Sequence, residues 1–75
     1  MIQFQLSTSR LMVGRVRRTI RDIAFDHDVD VYFDEERGWL FCELYGSLRG
    51  DRADCEEAMQ EIEATIDAHN TWRSA

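Results

Sequence analysis

Apolar residues recur along this chain with two different periods, and the order of those periods limits the fold to one class. Ile2, Phe4 and Leu6 alternate with glutamines, which is typical of a strand that buries one face. Apolar residues at spacings of three and four then predict a helix over residues 9–26, with a hydroxyl residue among positions 7–9 as its N-cap. The chain therefore begins with a strand and an amphipathic helix.

Alternation of apolar and polar residues returns in the middle of the chain. It covers residues 29–34 and 39–47, which predicts two more strands. The intervening residues 35–38 are charged and end in glycine, a composition typical of a four-residue hairpin loop.

The length of that loop predicts which residues of the hairpin stand opposite each other. It pairs Phe33 with Leu40 and Tyr32 with Phe41, and opposite partners share a face of the sheet. One face of the hairpin is then entirely apolar, and the other combines aromatic with acidic side chains. A slip of one residue would mix the two sets, which favours the predicted register.

The last third of the chain predicts a turn and a second helix. Gly46 and Gly50 bracket the turn, and Asp51 is the N-cap of a helix whose apolar stripe ends near Asn70. We expect residues 71–75 to form a short tail.

The order strand–helix–strand–strand–helix places the chain in the α+β class. A right-handed crossover puts the third strand between the first two in a three-stranded sheet of order 1-3-2, antiparallel or mixed, with both helices on one face. This plan resembles the ferredoxin-like fold without its fourth strand. Seventy-five residues are enough for a single domain, which we assign to residues 1–70.

Charge is unevenly distributed between the two predicted helices. The chain has a net charge of −6, but residues 1–25 hold five arginines and a single acid. In one interpretation, opposite charges face each other along the seam between the helices. In another, the acidic helix attracts a basic protein surface that normally holds nucleic acid. The acidic face of the second helix comprises Glu56, Glu57, Glu61, Glu63 and Asp67.

The first helix offers an alternative, a basic patch for nucleic acid. The net charge and a sequence pI of about 4.7 argue against it, because nucleic-acid-binding domains are usually basic overall. Nucleic acid is therefore the less favoured partner. The basic patch comprises Arg10, Arg15, Arg17, Arg18 and Arg21.

The sheet face that the helices leave open is a third candidate. Clustered aromatic rings in water exceed what a monomer usually exposes, and aromatic residues commonly anchor interfaces. A second copy of the chain, another protein or the tail through Trp72 would cover this face, while the acids beside the rings disfavour RNA. The aromatic set is Tyr32, Trp39, Phe41 and Tyr45.

No motif in the sequence predicts catalysis, a cofactor or a metal. His27 and His69 have no nucleophile placed beside them by any motif, and no glycine-rich phosphate loop is present. The aspartates of residues 26–30 lack the glycine and glutamate that a calcium loop needs. Cys42 and Cys55 form no metal-binding pair, and we expect them to be small buried apolar residues.

Taken whole, the sequence predicts a small, non-catalytic, acidic protein-binding module that self-associates as a homodimer. It would act as an inhibitor or adaptor that docks on a basic, nucleic-acid-binding surface of a larger protein. The alternative is a nucleic-acid-binding domain that uses the Arg-rich first helix. No membrane-spanning run and no signal-peptide pattern is present, so we expect a cytoplasmic location.

Overall fold

The backbone of residues 2–37 and 40–74 and the side chains of residues 2–34 and 40–67 are described by a computed structural model. The strands form one antiparallel sheet of order β1-β3-β2, so the predicted class, element order and strand order are confirmed. In chain order the elements are β1 (Ile2–Ser9), α1 (Val13–Asp26), β2 (Asp30–Arg37), β3 (Phe41–Arg49) and α2 (Arg52–Ser74). The backbone of α2 thus continues past its predicted end near Asn70.

A single core lies between the sheet and both helices. Its largest fully buried apolar side chains are Ile20 of α1, Leu44 and Leu48 of β3, and Ile62 of α2, none of which contacts solvent. Burial of each such side chain stabilises the fold by about 1.5–3 kcal/mol. α1 packs mainly over β2, and α2 packs over β1. Both helices contribute to the same core on one face of the sheet, so the other face carries no helix.

The start of α1 differs from the prediction. β1 continues to Ser9, and α1 begins only at Val13, after a turn in which the Met12 N–H donates to the Ser9 carbonyl at 3.0 Å. Met12 holds the N-cap position without a side-chain hydrogen bond, so a hydroxyl cap is the wrong prediction. Thr8 is instead fully buried opposite Cys42. Residues 7–9 pair with β3 and therefore extend the strand, so they are not available as helix caps.

The end of α1 turns the chain into β2 through a Schellman motif. Asp28 has a left-handed backbone with φ of 57°, and its N–H donates to the Phe25 carbonyl at 3.1 Å. The Val29 N–H donates to the Ala24 carbonyl at 3.0 Å, and the Val29 side chain is buried. These two bonds satisfy carbonyls at the helix end and fix the direction of the next strand.

Gly46 lies within β3, not at the edge of a turn as the sequence predicted. It stands opposite Phe4 on one side and Phe33 on the other. The Phe4 ring crosses the space above Gly46 and meets the Phe33 ring edge-on, with centroids 6.3 Å apart. Gly50 does belong to the predicted turn, and its φ of 152° is one that glycine adopts readily.

The hairpin register also differs from the predicted one. Phe33 lies opposite Gly46 rather than Leu40, so each residue of β2 pairs six positions further along β3. β2 continues to Arg37 and β3 begins at Phe41, while the Leu40 side chain is 68% exposed. An even shift leaves every side chain on its own face, so alternation alone could not distinguish the two registers.

A substitution at Gly46 tests how closely Phe4 is packed. Gly46→Ala should lower the free energy of unfolding by about 1–3 kcal/mol, because the added methyl group overlaps the Phe4 ring. Gly14→Ala in α1 is the matched control. Apart from the adjacent backbone of α1, no atom lies within 4 Å of the methyl group that this change adds. The free energy of unfolding should therefore rise by up to about 1 kcal/mol.

Urea denaturation followed by circular dichroism measures both variants. A Gly46→Ala midpoint at or above that of the wild-type chain would contradict the close packing of Phe4 across this glycine.

Candidate protein-interaction surfaces

The seam between the two helices is joined by a histidine. Glu57 and Glu61 lie one turn apart on the side of α2 that faces α1, and His27 at the end of α1 reaches both. His27 Nε2 is 3.0 Å from Glu61 Oε2, and Nδ1 is 3.8 Å from Glu57 Oε2. The His27 side chain is only 21% exposed. We call Glu57 and Glu61 the seam carboxylates.

The predicted seam of arginines against carboxylates is not seen between the described side chains of α1 and α2. Within the part of the chain that the structure describes, His27 makes the contacts that join the end of α1 to carboxylates of α2. Two arginines of α1 turn the other way: the Arg17 and Arg21 guanidinium carbons lie 5.5 and 5.3 Å from the centre of the Phe33 ring. Such cation–π contacts are worth about 0.5–2 kcal/mol each.

The role of His27 was missing from the sequence prediction, although a signal for it exists. Ile20, Ile23 and His27 recur at spacings of three and four, so the histidine extends the apolar stripe of α1 toward its neighbour. Nothing in that spacing identifies the two glutamates it reaches.

The opposite side of α2 carries exposed acids that α1 does not reach. Glu56, Glu63 and Asp67 are exposed, and we call these three residues the acidic flank. Glu56 Oε1 accepts a 3.1 Å hydrogen bond from Arg52 Nε, one turn earlier in the same helix. A cleft of about 280 Å³ separates this side of α2 from the start of β1, and its walls are Ile2, Glu56, Met59, Gln60 and Glu63.

The remaining arginines of the predicted basic patch are exposed. Arg15 and Arg18 point to solvent from α1, and Arg10 does so from the turn before it. Phe25 and Leu11 are 85% and 95% exposed, respectively. Helical spacing puts Phe25 on the same outer face as Arg18, which gives this side of the molecule both charge and apolar area.

The register separates the aromatic residues of the open sheet face. Tyr32 lies opposite Ser47, whereas Phe41 lies opposite Ser9 at the other end of the sheet. The two rings are 52% and 43% exposed, and about 20 Å of strand separates their positions. Trp39 lies outside the described residues, and the side chain of Trp72 lies outside the described side chains.

Tyr45 and several polar residues lie between those two ring positions. Tyr45 is half-buried between Gln5 and Asp34 and donates a 2.7 Å hydrogen bond to Glu43. Among the described residues, the face has one central tyrosine with polar neighbours, and Tyr32 and Phe41 lie toward its two ends. An open depression of about 400 Å³ beside it is lined by Gln3, Phe4, Tyr32, Asp34, Tyr45, Gly46 and Ser47.

The two edges of the sheet differ in charge. β2 contains four acids and one arginine, and charged side chains on an edge strand discourage pairing with another chain. β1 contains no charged residue and no proline over its eight residues. The edge of β1 thus lacks the usual protection.

Side chains that could bind a metal ion do not form a cluster in the described part of the chain. No three His, Cys, Asp or Glu side chains among residues 2–34 and 40–67 are arranged to hold a metal ion. Cys42 and Cys55 are free and buried, as the sequence predicted. None of the described helices has the length and apolarity to span a membrane.

Comparison with known proteins gives no relative from which a function could be carried over. No protein-family model matches the chain, and no curated protein or solved structure matches it significantly. Function has to be argued from the geometry of these surfaces.

A double-mutant cycle tests the seam. His27→Ala should lower the free energy of unfolding by about 1 kcal/mol, because it removes a partly buried hydrogen bond to Glu61. In a chain that already carries Glu57→Gln and Glu61→Gln, the same substitution should cost about 0.5 kcal/mol less.

Glu63→Gln provides the control background, since it removes one charge on the far side of α2. Urea denaturation gives all the free energies. An equal cost of His27→Ala in every background would mean that the histidine acts only through its packing.

Proposed function

We propose that this chain is a non-catalytic protein-binding module that presents the acidic flank of α2 to a basic surface of a larger protein. The observation that carries the proposal is the division of acids on α2. His27 binds the seam carboxylates, whereas Glu56, Glu63 and Asp67 face solvent on the other side of the helix. Arg52 pairs with Glu56 from within α2, whereas the arginines of the basic patch lie on the α1 side of the molecule, two of them against Phe33.

The acidic flank is also held rigidly. Ala58 and Ile62, which lie between its members in sequence, are completely buried in the core. A preorganised surface loses little conformational entropy on binding, so more of the electrostatic attraction appears as affinity. Helical rise separates Glu56 from Glu63 by about 10 Å along the axis, and Asp67 follows about 6 Å further.

Such a row of carboxylates suits a basic surface that normally holds phosphates. A module of this kind would occupy that surface as an inhibitor, or connect it to another protein as an adaptor. The net charge of −6 would steer the encounter and make its rate depend on ionic strength.

Removal of the acidic flank tests the proposal. The triple variant Glu56→Gln, Glu63→Gln, Asp67→Asn should bind a partner isolated from the native host at least about tenfold more weakly, and the affinity should depend less on salt. Asp22→Asn, Asp30→Asn, Asp34→Asn is the matched control, because it removes three acidic charges at other positions.

Isothermal titration with the purified partner measures both variants over a range of salt concentrations. The proposal is wrong if the acidic-flank variant binds as the wild-type chain does, or if the control variant loses as much affinity.

A second candidate function is nucleic-acid binding through α1. It is favoured by the exposed Arg15 and Arg18 together with Phe25, because arginines beside an exposed aromatic ring suit single-stranded nucleic acid. The strongly negative total charge opposes it.

Mobility-shift titration of labelled single-stranded RNA and duplex DNA at low salt tests this candidate. If it holds, the wild-type chain shifts the probe, and Arg15→Gln with Arg18→Gln reduces the shift by about tenfold or more, since two phosphate contacts are lost. Absence of a shift at high micromolar protein would exclude it.

A further inference from the structure

We propose that the open edge of β1 and the acidic flank of α2 form one groove for an extended, arginine- or lysine-rich segment of the partner. The segment would add to the sheet as a strand beside β1 and place its basic side chains against the carboxylates of α2. This inference rests on the proposed function, because it assigns a binding mode and a partner class to the same acidic flank.

The backbone of β1 provides the pairing groups. The Arg10 N–H donates to the Leu40 carbonyl at 3.4 Å and continues the register of β1 with β3. Bonded and non-bonded pairs alternate along an antiparallel ladder, so the odd-numbered residues of β1 turn their backbone N–H and C=O groups away from β3. Gln3 and Gln5 therefore direct donors and acceptors to the open edge, where no described residue pairs with them.

The composition of the two edge strands determines which edge can accept a partner. β2 is protected by its five charged residues, whereas β1 has none. An eight-residue strand without charge or proline is a ready template for strand addition. The edge of β1 is therefore the edge at which a further strand can pair without desolvating charges of the sheet.

The cleft beside this edge fits the side chains of a basic segment. Ile2 and Met59 give it apolar walls, while Glu56 and Glu63 are exposed at its mouth. Arginine and lysine carry an aliphatic stem that packs on apolar surface and a cationic end that binds carboxylates. Its volume of about 280 Å³ is enough for the stem of one such side chain.

A second copy of the chain is a poor occupant of the same edge. Two β1 strands related by a twofold axis would bring two copies of α2 side by side on the same face of a continuous sheet. Each would present Glu56, Glu63 and Asp67 to the same residues of its neighbour, and like charges that meet at an interface oppose association. A segment of opposite charge avoids this repulsion, and for this reason we assign the groove to a basic partner.

The probe for the test is a short fluorescein-labelled peptide of alternating arginine and valine. We expect saturable binding to the full chain by fluorescence anisotropy at low salt. The same peptide with N-methyl groups on alternate backbone nitrogens keeps its charge but loses the donors needed for strand pairing, and it should bind at least about tenfold more weakly. A glutamate–valine peptide of the same length should not bind.

Two variants of the chain locate the binding site. Gln5→Pro removes an outward N–H without breaking a bond to β3. Glu56→Gln with Glu63→Gln removes the negative charge at the cleft. Each variant should bind the arginine–valine peptide about tenfold more weakly. Asp30→Asn with Asp34→Asn on β2 is the charge-matched control and should change the affinity less than about twofold. Hydrogen exchange of the Gln3 and Gln5 amides should slow when the arginine–valine peptide binds.

The outcomes separate the two proposals. If the N-methylated peptide binds as well as its parent and the Gln3 and Gln5 amides gain no protection, strand addition is wrong, whether or not Gln5→Pro folds. The acidic flank would then still stand as the binding surface, provided that Glu56→Gln with Glu63→Gln weakens the peptide. Equal binding of the peptide to that variant, or equal binding of the glutamate–valine peptide, would overturn the groove and count against the proposed function as well.

Discussion

The packing of the Phe4 ring across Gly46 connects the parts of this domain that matter most for its surfaces. Gly46 is in the central strand, and the missing side chain lets Phe4 of one edge strand reach Phe33 of the other. Phe33 in turn attracts Arg17 and Arg21 of α1. One row of the sheet therefore ties both edges together and draws two cationic side chains toward β2.

Because these two arginines lie against Phe33, they do not contact the described carboxylates of α2. Arg17 and Arg21 lie over the β2 side of the sheet. The seam carboxylates of α2 are contacted by His27 instead. A single half-buried imidazole neutralises at most one acid, and it reaches only one side of α2. The acidic flank is exposed because it lies on the side of α2 that faces away from α1.

The sequence predicts the architecture well, because apolar period and element order are properties of single segments. It predicts faces correctly for the same reason, since parity assigns Val31 and Phe33 to one side whatever the register. The register itself depends on where the loop closes, and an even shift leaves the pattern of alternation intact. Contacts with other strands likewise place Gly46 inside β3 and bury Thr8. Local preferences for turns and helix caps do not predict such contacts.

The same distinction applies to the surfaces. Sequence spacing identifies the acidic and basic residues of each helix but treats each helix as one charged face, whereas packing divides α2 into two sides with different partners. The open sheet face differs as well, since the register places Tyr32 and Phe41 at opposite ends of the sheet, while Trp39 lies outside the described residues. Self-association stays a prediction of the sequence.

The two sides of α2 also differ in what their charges do for the fold. Glu57 and Glu61 are like charges at i and i+4, and His27 contacts both of them. Glu63 and Asp67 have the same spacing, but no cation among the described residues bridges them. Their repulsion costs about 0.2–0.5 kcal/mol, which a domain of this size has little margin to lose. A cation at position 60 would offset the charge of Glu63 one turn away, yet that position holds glutamine. That Glu63 and Asp67 lack a counter-charge among the described residues supports the proposal that a basic partner supplies it.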